Sequence, residues 1–344
     1  MKRLISRSAL FVVMAVMAIV LSMAPSAVAQ QPPTCTGGAA LSGWYGMLVG
    51  SYSGSGGKYL VGALNFNGAC GITGTNTFGG IGGNFAQASV TGTYGSNGDG
   101  TYNVTLNLSG QSTPQTYIVG VSQSGNEAVG IETDGASAFI DLQSQFLSAA
   151  GGFTTASLTG TYAVACVGSG TDLNYQTFDG NITGVDSEYN TGAVTTNTPY
   201  TGSYTVNSDG TFQGSVLFGG GTVPFYGVLD NGNNEVEYIY ENTGFGGVNS
   251  CSGKKSTGTT LSGSYGILVA GPATTGEGEQ FLSGVLNFNG GSLSGEVNGG
   301  LNSVYTNSQV TGSYVVNGNS TVTITMDLAG HHHGPCRTIL GGNF

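Results

Sequence analysis

Carboxylates are the residues of this chain best suited to acid–base chemistry. Within 234–241, Glu235, Glu237 and Glu241 alternate with Val236, Tyr238 and Tyr240. A strand would put the three acids on one face, with neighbours roughly 6–7 Å apart. Paired carboxylates at about that spacing are what glycoside hydrolysis uses. The same pattern also suits a solvated strand face that resists aggregation, and that is the reading adopted. Asp99 and Asp209 sit at matching turns, where capping of the hairpin explains them better than weak Ca²⁺ binding. The three histidines are consecutive, His331, His332 and His333. No Ser-His-Asp or Cys-His set can therefore be built inside the repeats. The His run is a weak metal candidate only, because adjacent residues of an extended chain point in alternate directions. Glycine runs such as 79–83 lack the lysine and the strand–helix context of a phosphate loop. The expectation is a protein with no catalytic set, no metal site and no cofactor.

Aromatic residues and cysteines carry the other chemical possibilities. Tyr45, Tyr162 and Tyr265 recur at one repeated position, and Tyr94, Tyr204 and Tyr314 at another. Such rings can stack on the apolar faces of sugars, but a position repeated three times at strand centres fits plugs of a barrel core or barrel end better. Trp44 stands where the other copies have Thr161 and Ser264, which makes it the candidate for a contact specific to one unit. Trp44, Tyr45, Tyr162 and Tyr265 are the residues assigned to ligand contact if there is any. Five cysteines in an exported chain imply disulfides with one left over. Cys166 falls on the first strand of the second unit and Cys251 after its last, so this pair would staple the seam of a closed meander. Cys35–Cys70 is the second expected bridge. The rival pairing joins Cys35 to Cys166, or Cys251 to Cys336.

The elements that hold these residues come from a unit copied three times. Leu41-Ser42-Gly43-Trp44-Tyr45 recurs as Leu158-Thr159-Gly160-Thr161-Tyr162 and Leu261-Ser262-Gly263-Ser264-Tyr265. Val90-Thr91-Gly92-Thr93-Tyr94 recurs at 200–204 and 310–314, with Tyr-to-Tyr separations of 49, 42 and 49 residues. Residues 62–68 match 284–290, and 101–108 aligns with 211–218 and 321–328. Tyr102, Val104, Leu106 and Leu108 alternate with Asn103, Thr105 and Asn107, which predicts a strand with one apolar face. Asn97-Gly98-Asp99-Gly100, Asn207-Ser208-Asp209-Gly210 and Asn317-Gly318-Asn319 are hairpin turns. The best helical candidate, 137–150, reads equally as a strand followed by a turn and is assigned so. About eight strands are predicted in the first unit, near 44–52, 58–66, 69–75, 86–95, 101–109, 115–122, 126–133 and 137–143. Eight sequential strands can close into an up-and-down barrel without exposed edges.

Composition agrees. Glycine makes up 63 of 344 residues, about 18%, against a usual ~7%. Charged residues are 7%, against ~25%. Scarce Lys and Arg exclude nucleic-acid binding, and the apolar fraction of 39% excludes disorder. Lys2, Arg3 and Arg7, an uncharged run over 9–23, and Ala27-Val28-Ala29 form a secretory signal cut after Ala29. Four cations then face 18 acids, a net charge of about −14.

The (Leu)-(Ser/Thr)-Gly-x-Tyr, Leu-Asn-Phe-Asn-Gly and Thr-Gly-(Ser/Thr)-Tyr motifs, spread over residues 41–330, resemble the uncharacterised secreted glycine-rich β-repeat proteins of environmental bacteria. Each unit is similar in architecture to avidin- and lipocalin-type meander barrels, a likeness of fold that implies no function. The expected organisation is a signal peptide (1–29), a linker (30–40), a barrel (41–147), a second barrel (158–252), a partial unit (261–330) and an irregular tail (331–344). The fold class is all-β: tandem antiparallel meander barrels of about eight strands, the third incomplete. That third unit reads as truncated or, alternatively, as an open sheet that accepts a partner strand. The leading functional expectation is a non-enzymatic structural or adhesive protein, exported to the cell surface or beyond, with the periplasm as the other destination. Its partners would be an extracellular glycan or another surface protein, not nucleic acid, and no membrane insertion of the mature chain is expected. The alternatives are a barrel that binds a small ligand or glycan, and an outer-membrane barrel.

Overall fold

A side chain pattern of period two leaves half of each strand apolar, and a sheet with one apolar face must cover it. This chain does so by curling. The computed structural model describes residues 41–341 apart from 52–57, 80–84, 136–137, 146–151, 169, 191–192, 243–246, 257–260, 272–279, 302–303, 317–320 and 329–335. The segments expected to be signal peptide and linker, with Cys35 and His331 to His333, lie outside the described residues.

Barrel 1 has eight strands: β1 Ser42–Ser51, β2 Tyr59–Asn67, β3 Gly71–Gly79, β4 Phe85–Ser96, β5 Thr101–Leu108, β6 Gln115–Val121, β7 Glu127–Glu132 and β8 Ala138–Ser144. Each pairs antiparallel with the next, and β1 closes on β8. Barrel 2 repeats the arrangement with β9 Gly160–Gly168, β10 Thr171–Phe178, β11 Asn181–Asn190, β12 Ala193–Val206, β13 Thr211–Phe218, β14 Gly221–Asp230, β15 Glu235–Asn242 and β16 Gly247–Lys255. There β9 closes on β16. The third unit is an open six-stranded sheet: β17 Gly263–Gly271, β18 Gln280–Asn289, β19 Ser292–Leu301, β20 Val304–Val316, β21 Thr321–Leu328 and β22 Cys336–Gly341. The tail expected to be irregular therefore supplies a sixth strand, because Cys336 to Gly341 pairs antiparallel with β21. β22 also lies against β9 and β10 of barrel 2.

The repeated tyrosines build the core. In each unit a phenylalanine sits edge-on between two tyrosines: Tyr45–Phe66–Tyr94, Tyr162–Phe178–Tyr204 and Tyr265–Phe288–Tyr314, with ring centroids 5.1 to 5.6 Å apart. The second tyrosine of each set donates its hydroxyl to the carbonyl of the leucine that opens the motif. These bonds are Tyr94 to Leu41 (2.9 Å), Tyr204 to Leu158 (2.6 Å) and Tyr314 to Leu261 (2.6 Å). The motif glycines, Gly43, Gly160 and Gly263, have φ of 96°, 104° and 98°. A side chain would strain that turn into the first strand, which is why the motif carries glycine.

In barrel 1 the alternation sends mostly apolar residues inward and polar ones outward. On β5, Tyr102, Val104, Leu106 and Leu108 are buried, while Asn103, Thr105 and Asn107 face out. This is the reverse of a lipid-facing barrel. One outer wall is an exception. Leu48, Tyr59, Val61 and Ala63 of barrel 1 form a buried cluster with Val228, Ile239 and Val248 of barrel 2, edged by Trp44, Phe85 and Tyr226. The two barrels are packed side by side through β1–β2 and β14–β16.

Candidate ligand site at the polar end of barrel 2

The aromatic sets bring the three units into one register, and the register exposes a difference. Counting back from the central phenylalanine, inward positions of β2 are Leu64, Gly62 and Leu60. The matching residues of β18 are Leu286, Gly284 and Leu282. In β10 they are Gln176, Asn174 and Asp172, all buried. Strand pairing gathers further polar residues around them. Asp186 lies opposite Asn174, Gly184 lies opposite both Gln176 and Tyr200, and Asn249 lies opposite Tyr240. Half of barrel 2 is thus an apolar core like that of barrel 1, and the other half is hydrophilic.

A hydrogen-bond network links this end. Tyr240 donates to Asp172 Oδ2, which also accepts from Asn249 Nδ2 at 2.7 Å. Tyr200 donates to Gln176 Oε1 at 2.9 Å, and Gln176 Nε2 donates to Tyr238 at 3.4 Å. Asn174 Nδ2 points at the Cys166 sulfur, 3.6 Å away. Two oxygens are left over: Asp172 Oδ1 and Asp186 Oδ1 are buried and accept nothing. Burial pushes Asp172 up to about 8, with the negative charges of Asp186 and Glu188 adding to the effect. Burial, reinforced by Glu188, raises Asp186 to about 7. The hydroxyls of Tyr200 and Tyr238 are raised by burial as well. An unsatisfied buried oxygen costs about 1–3 kcal/mol. Two such oxygens on neighbouring strands at one barrel end could each accept a hydrogen bond from a donor.

The expected seam disulfide is present. Cys166 of β9 and Cys251 of β16 are joined across the closing strand pair, beside Asn174, where barrel 1 has Val49 opposite Ile140. Cys70 is also disulfide-bonded, while Cys35 lies outside the described residues.

The aromatic residues assigned to ligand contact are used otherwise. Tyr45 and Tyr162 are buried in the barrel cores, their hydroxyls donating to Gly125 O (2.5 Å) and Asn233 O (2.7 Å). Tyr265 packs against the third core. A ring covered on both faces offers no platform to a sugar. Trp44 does make a contact specific to its unit, at the wall shared by the two barrels.

The glutamates share one face of β15, as their spacing requires, but the solvated face is a correction. Barrel 1 covers it, and Glu237 is 2% exposed. Glu235 pairs with Lys254 at 2.8 Å. Nearby Asp230 is completely buried, and both its oxygens lack a side-chain partner. Asp99 and Asp209 cap their turns, accepting from the amide and hydroxyl of Thr101 and Thr211 at 2.6 to 3.0 Å. Among the described residues no cluster of three His, Cys, Asp or Glu could hold a metal ion.

The polar end was readable in the replacement of Leu60, Gly62 and Leu64 by Asp172, Asn174 and Gln176. The middle copy lacks the Leu-Asn-Phe-Asn-Gly hairpin, however, so its second strand does not announce its alignment. No family model matches the chain, and no curated protein matches it.

Proposed function

We propose that this is an exported, non-enzymatic β-repeat protein in which barrel 1 and the third sheet are structural and barrel 2 holds a small polar ligand. One observation carries the reading. The same inward positions are apolar in β2 but polar in β10, where two buried carboxylates keep oxygens without partners. Barrel mouths are a common place for such sites. Export is supported by the charged and apolar leader and by a buried disulfide, which persists in oxidising compartments. The inward apolar, outward polar alternation supports a barrel surrounded by water. Contact with a glycan or surface partner is a second role, supported by an open groove of about 420 Å³ on the outer wall of barrel 2, lined in part by Thr183, Thr201, Ser203, Ser215 and Leu217.

Native mass spectrometry of the mature protein against a panel of small sugars, amines, alcohols and carboxylates tests the ligand site. Binding by the wild type is expected. It should be lost in the triple variant D172L/N174G/Q176L, which carries the residues of barrel 1. A wild-type chain that retains no member of the panel refutes the proposal.

A further inference from the structure

Barrel 1 contains its own precedent for what an acidic barrel end receives. Its interior carboxylate, Glu132, has a fully buried side chain, and Lys58 reaches it with Nζ 2.5 Å from Oε1. Asp134 adds a second oxygen, 3.5 Å from the same ammonium. Lys58 stands eight residues before Phe66. Eight residues before Phe178 of barrel 2 is Gly170. Barrel 2 thus has more buried acid than barrel 1 and a glycine in the place of the lysine.

Two further lysines are engaged away from this end. Lys254 pairs with Glu235 on the outer wall, and Lys255 lies 6.0 Å from the Tyr162 ring centroid at the opposite end of the barrel. Resting on the binding role proposed above, we propose that the ligand of barrel 2 is a small organic cation, an amine whose ammonium group is held between Asp172 and Asp186. The unpartnered oxygens Asp172 Oδ1 and Asp186 Oδ1 would accept its N–H groups. Tyr240, only partly buried and hydrogen-bonded to Asp172, would lay its ring beside the cation's carbon body.

Other ligand classes fit less well. An anion would meet Asp172, Asp186 and Glu188 together. A neutral polyol would gain nothing from the negative charge that Asp172 and Asp186 can take up. Among the described residues no cluster offers a metal ion the ligands it needs.

Protonation gives this assignment a signature. Asp186 and Glu188 on β11 act on Asp172 by their charge, Tyr240 on β15 donates to it and Tyr238 lies near it on the same strand; β22, which also lies against β10, carries Arg337. With Asp172 raised to about 8 by burial and its acidic neighbours, an ammonium ion arriving near neutral pH must displace a proton. Affinity should then fall about tenfold per pH unit between 8 and 7, and more steeply below 7, where Asp186 must give up a proton too.

The experiment is isothermal titration calorimetry of the mature protein with phenethylamine, and with 2-phenylethanol and phenylacetate as matched neutral and anionic probes. The expected result is binding of the amine alone, with proton release seen as a dependence on buffer ionisation heat at pH 7. D172N/D186N should weaken it at least about tenfold. Gly170→Lys should abolish it, because the tethered ammonium would occupy the site as Lys58 does in barrel 1. Equal binding of the alcohol, amine binding without proton release, or unchanged affinity in D172N/D186N would overturn the amine assignment and leave a polar ligand site standing. Binding of none of the three probes, while the wild type retains another member of the wider panel, would also overturn it. If the double variant does not fold, proton release by the wild type decides. If no panel member binds, the binding role itself fails.

Discussion

At the scale of single residues, the repeat is held by a hydroxyl and a glycine. Tyr94, Tyr204 and Tyr314 each bind the carbonyl of the leucine that opens their unit, tying the fourth strand to the start of the first. Tyr94→Phe should leave the Leu41 carbonyl without its donor and destabilise barrel 1 by about 1–2 kcal/mol, measured as a shift in the urea midpoint at constant slope. Gly43 tests backbone strain in isolation, because a Cβ there would meet nothing within 4 Å. Gly43→Ala should still cost about 1–2 kcal/mol, from its φ of 96° alone. An unchanged midpoint would show that the turn relaxes. The spacing of these residues made them visible in the sequence. Threefold repetition at strand centres favoured a core role for the rings, and the burial that completes it comes from strands 20 to 50 residues away.

At the scale of elements, the alternating strands of barrel 1 were legible almost to the residue, since each is bounded by turn chemistry. The stretch 138–144 illustrates the limit: its apolar residues fit either period, and β8 is a strand because β1 and β7 flank it. The final strand, β22, escaped notice because its six residues carry no repeat motif and form a strand only by pairing with β21. The seam of barrel 2 was deducible, because a closed meander makes neighbours of its first and last strands. Its disulfide spans 85 residues, for which chain entropy gives about 4–5 kcal/mol. Replacing Cys166 and Cys251 by valine and isoleucine, the pair found in barrel 1, should lower the stability of barrel 2 by a few kcal/mol while keeping its strand content. Thermal unfolding followed by circular dichroism checks this. Retention of the full melting temperature would mean that packing alone closes the seam.

At the scale of the molecule, the two barrels meet across a wall that mixes apolar packing with buried acids. Asp230 of β14 lies against the backbone of Gly46 of β1, so closely that a Cβ at Gly46 would overlap its carboxyl. Burial raises Asp230 well above the usual carboxylate range, helped by the charges of Asp141 and Glu235. Glu237 is raised for the same reason, with Lys254 opposing. Asp141 is lifted to about 6, again chiefly by burial. Unfolded or separated chains release these protons near pH 4. Between that pH and the raised values, the docked state holds more protons than the separated one. The contribution to docking is therefore complete below about pH 4 and is lost as pH rises through about 6 and above. Small-angle scattering should show a larger radius of gyration at pH 8 than at pH 5. Asp230→Asn, which cannot ionise, should reduce the difference. A radius independent of pH in the wild type would show that the apolar cluster alone sets the docking.

Local pattern determined the repeats, the strand-rich class, the turns and the seam cysteines, because each depends on neighbours within a hairpin or on a motif recurring at fixed spacing. Folding decided which faces met water. β1 and β2 bury their outer residues only because barrel 2 lies beside them, and the glutamates of β15 lose their solvent to the same contact. The inward course of Asp172, Asn174 and Gln176 likewise depends on barrel closure. Burial is a property of distant strands brought together, and it is burial that lifts Asp172 and Asp186 far above an ordinary aspartate.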